Sequence, residues 1–181
     1  MHRIPVEDYA ATIRELLAPL LRRPEEFVPI ALAADRVTAA EVHSPIDLPT
    51  FRNSQMDGFA VHVADLGVIP VVLPVRGEIA AGATDPAALR PGSAIAIMTG
   101  APVPPGADAV VPIEDTRLVE GGVEILRGRD AGEYVREAGS DIAAGAALLP
   151  AGLRLASRHL AALAAANLME VSVRARVRVA V

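Results

Sequence analysis

Prolines cut the middle of this chain into pieces that suit strands and turns better than helices. Ten of them fall at Pro45, Pro49, Pro70, Pro74, Pro86, Pro91, Pro102, Pro104, Pro105 and Pro112. A proline carries no amide donor and clashes with the preceding helical turn, so this spacing leaves little room for helices of ordinary length. Between the prolines lie short apolar runs, Phe59–Val63, Val71–Val75, Ala94–Met98 and Ala109–Ile113, which have strand length. Gly121-Gly122, flanked by Leu118–Val119 and Val123–Leu126, reads as a hairpin turn. Residues 46–141 therefore read as one β-rich module. With 3% aromatics and no Trp, its core must be built from Ala, Val, Leu and Ile.

The flanks have a different character. Residues 5–22 read as a helix opened by Pro5, with Glu7 and Asp8 where the helix dipole favours acids. Ile13, Leu16, Leu17, Leu20 and Leu21 fall at the spacing of a buried stripe, and Pro19 should bend or break the helix near its end. A second short helix is expected over Ile30–Thr38, opened by Pro29, followed by an extended stretch at Ala39–His43. Ser157 is placed to cap a helix that runs to about Ala166 and stops at Asn167. From Val171 to Val181 the odd positions are Val or Ala and the even ones mostly Arg, the alternation of one long half-buried strand. A strand left open there would be a sticky edge, so the chain reads as a fragment. The fold class is α+β and β-rich: residues 1–45 with 142–175 form a small helical/β domain, interrupted by a β insert at 46–141.

Charge and composition exclude several classes. The net charge is −5, against the basic surface that non-specific nucleic-acid binding requires. No cysteine is present, which removes disulfides, thiolate nucleophiles and Cys-rich zinc sites. All 17 basic residues are Arg, which removes Schiff-base lysine chemistry and leaves anions to guanidinium, backbone N–H and hydroxyl groups. The four histidines lack metal-ligand spacing. The N-terminal stretch lacks the apolar region of a signal peptide, and no apolar run is long enough to span a membrane.

Three polar clusters sit at turns. The first holds Asn53, Ser54 and Asp57 in the run Asp47–Phe59. The second is Ile97-Met98-Thr99-Gly100-Ala101-Pro102, where backbone amides after Gly100 are able to form an anion nest. The third is Arg136-Glu137-Ala138-Gly139-Ser140-Asp141. Each also has a plain reading, since Asp57-Gly58, Thr99-Gly100 and Asp141 are ordinary turn or capping residues. Glu114-Asp115 reads as a solvated rim or a ligand pair.

Taken in order, these clusters resemble the N-terminal half of the molybdopterin molybdenumtransferase family, the MoeA type that includes the gephyrin E domain. The resemblance rests on Ser44-Pro45-Ile46-Asp47-Leu48-Pro49, on Asn53-Ser54 with Met56-Asp57-Gly58-Phe59-Ala60-Val61, on Gly77-Glu78-Ile79, on Met98-Thr99-Gly100-Ala101-Pro102-Val103-Pro104, on Gly106-Ala107-Asp108-Ala109-Val110-Val111, and on Arg136, Gly139 and Asp141-Ile142. It departs from the family at Asp35, usually Gly, at Arg52, usually Asp, at Gln55, usually Ala, and at Ser140, usually Glu. It implies a barrel-like insert, with residues 176–181 opening a Rossmann-like pterin-binding domain that this chain lacks. It implies insertion of molybdate into adenylylated molybdopterin with a divalent cation such as Mg2+ and release of AMP. Asp57, Thr99 and Asp141 are the expected catalytic residues, with Asp57 and Asp141 on the metal and Asn53, Ser54, Gly100 and Arg136 on substrate. The expected setting is a cytoplasmic homodimer, with molybdopterin adenylyltransferase and molybdoenzymes as pathway partners and with neither nucleic acid nor membrane. A non-catalytic dimerisation or interaction module of the same fold is the competing reading.

Overall fold

The computed structural model describes residues 5–178, so Val179, Ala180 and Val181 of the expected last strand lie outside the described residues, as does the side chain of Leu21. In chain order the elements are α1 (Val6–Leu17), β1 (Glu25–Pro29), β2 (Val42–His43), β3 (Asn53–Ser54), β4 (Gly58–Val61), β5 (Val71–Leu73) and β6 (Val75–Ile79). There follow β7 (Ala94–Ile97), β8 (Ala109–Pro112), β9 (Thr116–Val119), β10 (Gly122–Ile125), β11 (Val135–Arg136), β12 (Ala147–Leu149), α2 (Ser157–Ala165) and β13 (Glu170–Arg174). The protein is α+β and strand-rich. It divides into two compact units, Met1–Ile46 with Ala144–Val181, and Asp47–Ala143.

In the first unit β1 pairs antiparallel with β13, and β2 with β12. α2 presents Leu163 to a core of Ala33, Leu149, Leu155, Val171 and Val173. Thr38 is wholly buried although polar. Its Oγ1 donates to the Pro150 carbonyl at 2.7 Å and accepts the Leu153 N–H at 2.9 Å, so its burial leaves no unmet bond.

Four expectations need correction here. The helix expected over Ile30–Thr38 is one 3-10 turn, Ile30–Leu32. The backbone turns left-handed at Asp35, with φ of 62°, and Asp35 and Thr38 give their amides to the carbonyls of Leu155 and Leu153. Glycine suits such a position and Asp tolerates it. The last strand ends at Arg174, not Val181. Its partner β1 begins at Glu25, opposite Arg174, and Pro24 before it has no N–H with which to extend the ladder. Ser157 is the first residue of α2 rather than its cap: the Ala156 N–H is met by the His159 ring at 3.0 Å. The expected stop holds, with Asn167 left-handed at φ 58°.

The fourth correction concerns the first helix. It becomes 3-10 from Ala18 to Arg22, around Pro19. The apolar side chains have the expected helical spacing, yet no α1 residue is buried. Leu16 is 73% exposed and Leu17 51%. The stripe exists, but the described residues supply nothing to cover it.

The second unit is built on a four-stranded sheet in the order β6-β7-β4-β8, with β6–β7 parallel and the other pairs antiparallel. A sheet β5-β10-β9 contains the hairpin expected at Gly121-Gly122. Every residue of β4 is buried. Phe59 and Val61 enter one cluster with Leu66, Leu73, Val111, Val123 and Ile125, while Ala60 enters another with Ile79, Leu89, Ile95, Ile97 and Val110. β4 thus separates two cores, which accounts for its uninterrupted apolar sequence.

Gly58 opens β4 directly after Asp57. A Cβ there would stand 2.0 Å from the Val111 carbonyl oxygen on β8. Gly58→Ala should therefore destabilise the protein by about 3 kcal/mol or more, because backbone must move. Gly67→Ala, which meets nothing within 4 Å, should stay within about 0.5 kcal/mol of the parent. Urea midpoints of the two variants test the contrast.

Candidate functional site

Asn53 and Ser54 form a two-residue strand with neighbours on both sides. On one side the Ser54 N–H donates to Ala101 at 3.0 Å, and the Gly100 N–H donates to the Ser54 carbonyl at 2.8 Å. On the other, β3 pairs with β11, Asn53 opposite Arg136 and Ser54 opposite Val135. The three polar clusters, well separated in sequence, are thereby joined through β3. The side chains of Asn53 and Ser54 are buried. Ser54 Oγ donates to the Met56 carbonyl at 2.6 Å, and Asn53 Nδ2 donates to the Phe51 carbonyl at 3.1 Å. These two side chains, expected on substrate, make local bonds that shape the loop leading to Asp57.

Asp57 lies one step before Gly58, which pairs with Ile97 at the end of β7. It therefore faces the turn after β7. Thr99 gives it two bonds, its N–H at 2.6 Å and its Oγ1–H at 2.7 Å, both to Oδ1. The hydroxyl first, and the amide second, hold the Asp57 carboxyl below the ordinary aspartate range. Asp57 and Thr99 are both exposed, and Oδ2 remains for a ligand.

The anion nest expected after Gly100 is closed. The Thr99 amide serves Asp57, the Gly100 amide serves Ser54, and the Ala101 amide serves the Met98 carbonyl. Gly100 supplies the left-handed turn, with φ of 79°, instead of an anion contact.

Arg136 and Asp141 form the second pair. Arg136 Nη2 lies 2.5 Å from both carboxylate oxygens, and both side chains are about half exposed. Asp141 is fixed by its own N–H, which bonds the Leu48 carbonyl at 2.9 Å. Gly139 turns left-handed at φ 71° to bring it there. Beside this pair, Arg52 Nε donates to Glu137 Oε1 at 2.9 Å. The register that sets Asn53 opposite Arg136 brings Arg52 and Glu137 together as the next cross-strand pair. Sequence reading singled out Arg52 as a charge reversal but passed over Glu137, because the pairing register is invisible until β11 is placed against β3. Arg52 is neutralised by Glu137 and leaves the Asp57 loop without added positive charge.

Among the described residues no group of three His, Asp or Glu side chains is placed to hold a metal ion. The donors that are present fit a weakly held hard cation. Asp57 Oδ2 is an oxygen donor of the kind such a cation takes, whereas both oxygens of Asp141 are held by Arg136. Mg2+ commonly keeps its waters and uses one or two carboxylates together with substrate phosphates.

The geometry defines an α+β protein whose candidate residues lie on three loops of one strand-rich unit, as an Asp57–Thr99 pair and an Arg136–Asp141 pair whose segments are joined through β3. Residues 4–167 match the family described as MoeA N-terminal region (domain I and II), and the chain belongs to that family. It is 38% identical over 172 residues to a molybdopterin molybdenumtransferase of Synechococcus elongatus, covering 91% of this chain and 43% of the relative. It is 42% identical over 161 residues to molybdopterin molybdenumtransferase 2 of Mycobacterium tuberculosis, covering 85% of this chain and 39% of the relative. The crystal structure of the molybdopterin biosynthesis MoeA protein from Pyrococcus horikosii superposes with a TM-score of 0.79 at 32% identity, over 96% of this chain and 44% of that one. The chain thus spans about four-tenths of the length of these curated relatives.

Thr99→Val keeps the amide bond to Asp57 and removes the hydroxyl, so the Asp57 pKa should rise toward its ordinary value in a carboxyl-carbon NMR titration. A lowered folded pKa stabilises the fold above the unfolded value, and that stabilisation is lost as pH falls through the folded one. The stability difference between wild type and Thr99→Val should therefore be present at neutral pH and shrink in acid below the usual aspartate range.

Proposed function

We propose that this chain supplies the N-terminal part of a transferase that inserts molybdate into adenylylated molybdopterin, releasing AMP with the help of a divalent cation. The Asp57–Thr99 pair carries this reading. A carboxylate kept ionised by two donors from one residue, exposed and with an oxygen to spare, suits a hard cation beside a phosphate or oxyanion. Bound there, the cation would polarise the bond to the leaving phosphate and offset its charge.

Arg136 and Asp141 contribute by exchanging partners. As observed, the pair is neutral and each member satisfies the other. An anionic substrate would draw the Arg136 guanidinium, and the Asp141 carboxylate freed from it would be available to a cation bound with that substrate. Thr99 Oγ1 keeps the Asp57 carboxylate oriented throughout. Asn53, Ser54 and Gly100 hold the loops in place.

A chimera tests this, with the present residues replacing the matching region of the Synechococcus relative in a host that lacks its own molybdopterin molybdenumtransferase. The parent chimera should restore molybdoenzyme activity. Asp57→Asn and Asp141→Asn should each lower the rate of metal insertion by about 100-fold, the scale for removing one electrostatic group from a reacting centre. Full rescue by the Asp57→Asn chimera would remove Asp57 from the reaction.

The exposed stripe of α1 supports a second reading, compatible with the first: a homodimer in which this helix is covered. Val6 is 78% exposed, Tyr9 60% and Leu16 73%, more apolar surface on one short helix than single scattered residues would give. Leu16→Glu should shift sedimentation toward the monomer while leaving the circular dichroism of the fold unchanged.

A further inference from the structure

Four arginines, Arg23, Arg36, Arg174 and Arg176, line one cavity of about 390 Å3 in the first unit, together with Ala34, Asp35, Val37 and Val177. In a chain of net charge −5, this concentration of positive charge has few counter-ions. Arg36, only 9% exposed, pairs with Glu26. The one acid in the lining, Asp35, is taken by Arg154, 2.9 Å away. Four guanidinium groups with one compensating carboxylate leave three net positive charges around the cavity.

Main-chain carbonyls, which are neutral, hold the guanidinium groups in place. Arg23 donates to Leu20 and Ala175, each at 2.9 Å. Arg174 donates to the carbonyls of Arg23 and Ala39, each at 3.2 Å. Arg36 donates to the Arg174 carbonyl at 2.8 Å as well as to Glu26. These bonds orient the charges without cancelling them, so their mutual repulsion persists and the groups are organised before any ligand arrives. Arg176 is exposed and finds no acceptor among the described residues.

We infer that this cavity is a binding site for a small dianion of the phosphate type, separate from the Asp57 site and independent of the function proposed above. Planar guanidinium forks match tetrahedral oxyanions and engage them by charge-assisted bonds. A monoanion would offset only one of the three uncompensated charges. The volume lies at the small-molecule end of the range for ligand sites, roughly 300–1,000 Å3. An inorganic oxyanion and a phosphorylated metabolite share this chemistry, and the experiment separates them.

The test is a backbone-amide NMR titration of the chain with inorganic phosphate, pyrophosphate or AMP, at ionic strength held constant with chloride. Saturable shifts are expected at the amides of Asp35–Val37 and Arg174–Val177. Pyrophosphate as the tightest ligand would assign an inorganic or polyphosphate oxyanion, and AMP as the tightest a phosphorylated metabolite. Arg176→Gln, at an exposed position with no hydrogen bond or ion pair among the described residues, should weaken binding about fivefold. Arg178→Gln, exposed and outside the cavity lining, should leave it unchanged. Absence of saturable shifts, shifts matched by chloride alone, or equal weakening by the two variants would overturn the proposal, the last by showing diffuse attraction in place of a site.

Discussion

The candidate site depends on the double pairing of a two-residue strand. β3 has one edge bonded to the turn after β7 and the other to β11. A strand this short contributes little stability of its own. It persists because both of its edges are satisfied and because Asn53 and Ser54 are buried. Through it, the geometry of Thr99 and that of Arg136 become one problem. A slip of one residue in either ladder would turn Ser54 out of its local bonds and carry Asp57 away from Thr99, since the side-chain period of a strand is two.

The same constraint explains the glycines around the site. Gly58 brings β4 against β8 where no Cβ fits. Gly100 and Gly139 supply left-handed backbone at the two turns that present Thr99 and Asp141. Buried cores on both faces of β4 keep the sheet rigid beneath the exposed acid. The candidate site residues therefore sit on loops while the regular elements hold them in place, the usual division between scaffold and site.

Much of this was legible in the residues. The apolar runs between prolines became β4, β5, β7 and β8, and the hairpin fell where two glycines marked it. Asp57 and Thr99 were picked out by turn chemistry and by family resemblance, and they meet. Failures came where a distant partner decides the outcome. The second helix was overruled by bonds from Asp35 and Thr38 to residues more than a hundred positions away. The long final strand was cut by Pro24, which only the β1–β13 register places opposite its continuation. The anion nest after Gly100 was lost because Ser54 claimed an amide that local sequence leaves open. The helical period of α1 was legible, but its burial was not, since periodicity shows which face is apolar and says nothing of what lies against it.

The absence of lysine has a consequence for the ion pairs. Arg136–Asp141, Arg52–Glu137 and Arg36–Glu26 all draw their cation from guanidinium, which stays protonated across any pH a protein survives. An ammonium in those places would begin to neutralise in strong base. Here the alkaline limb is silent, and only the carboxylates, at the acid end, can unmake the pairs. These three pairs are thus indifferent to alkali and vulnerable to acid alone.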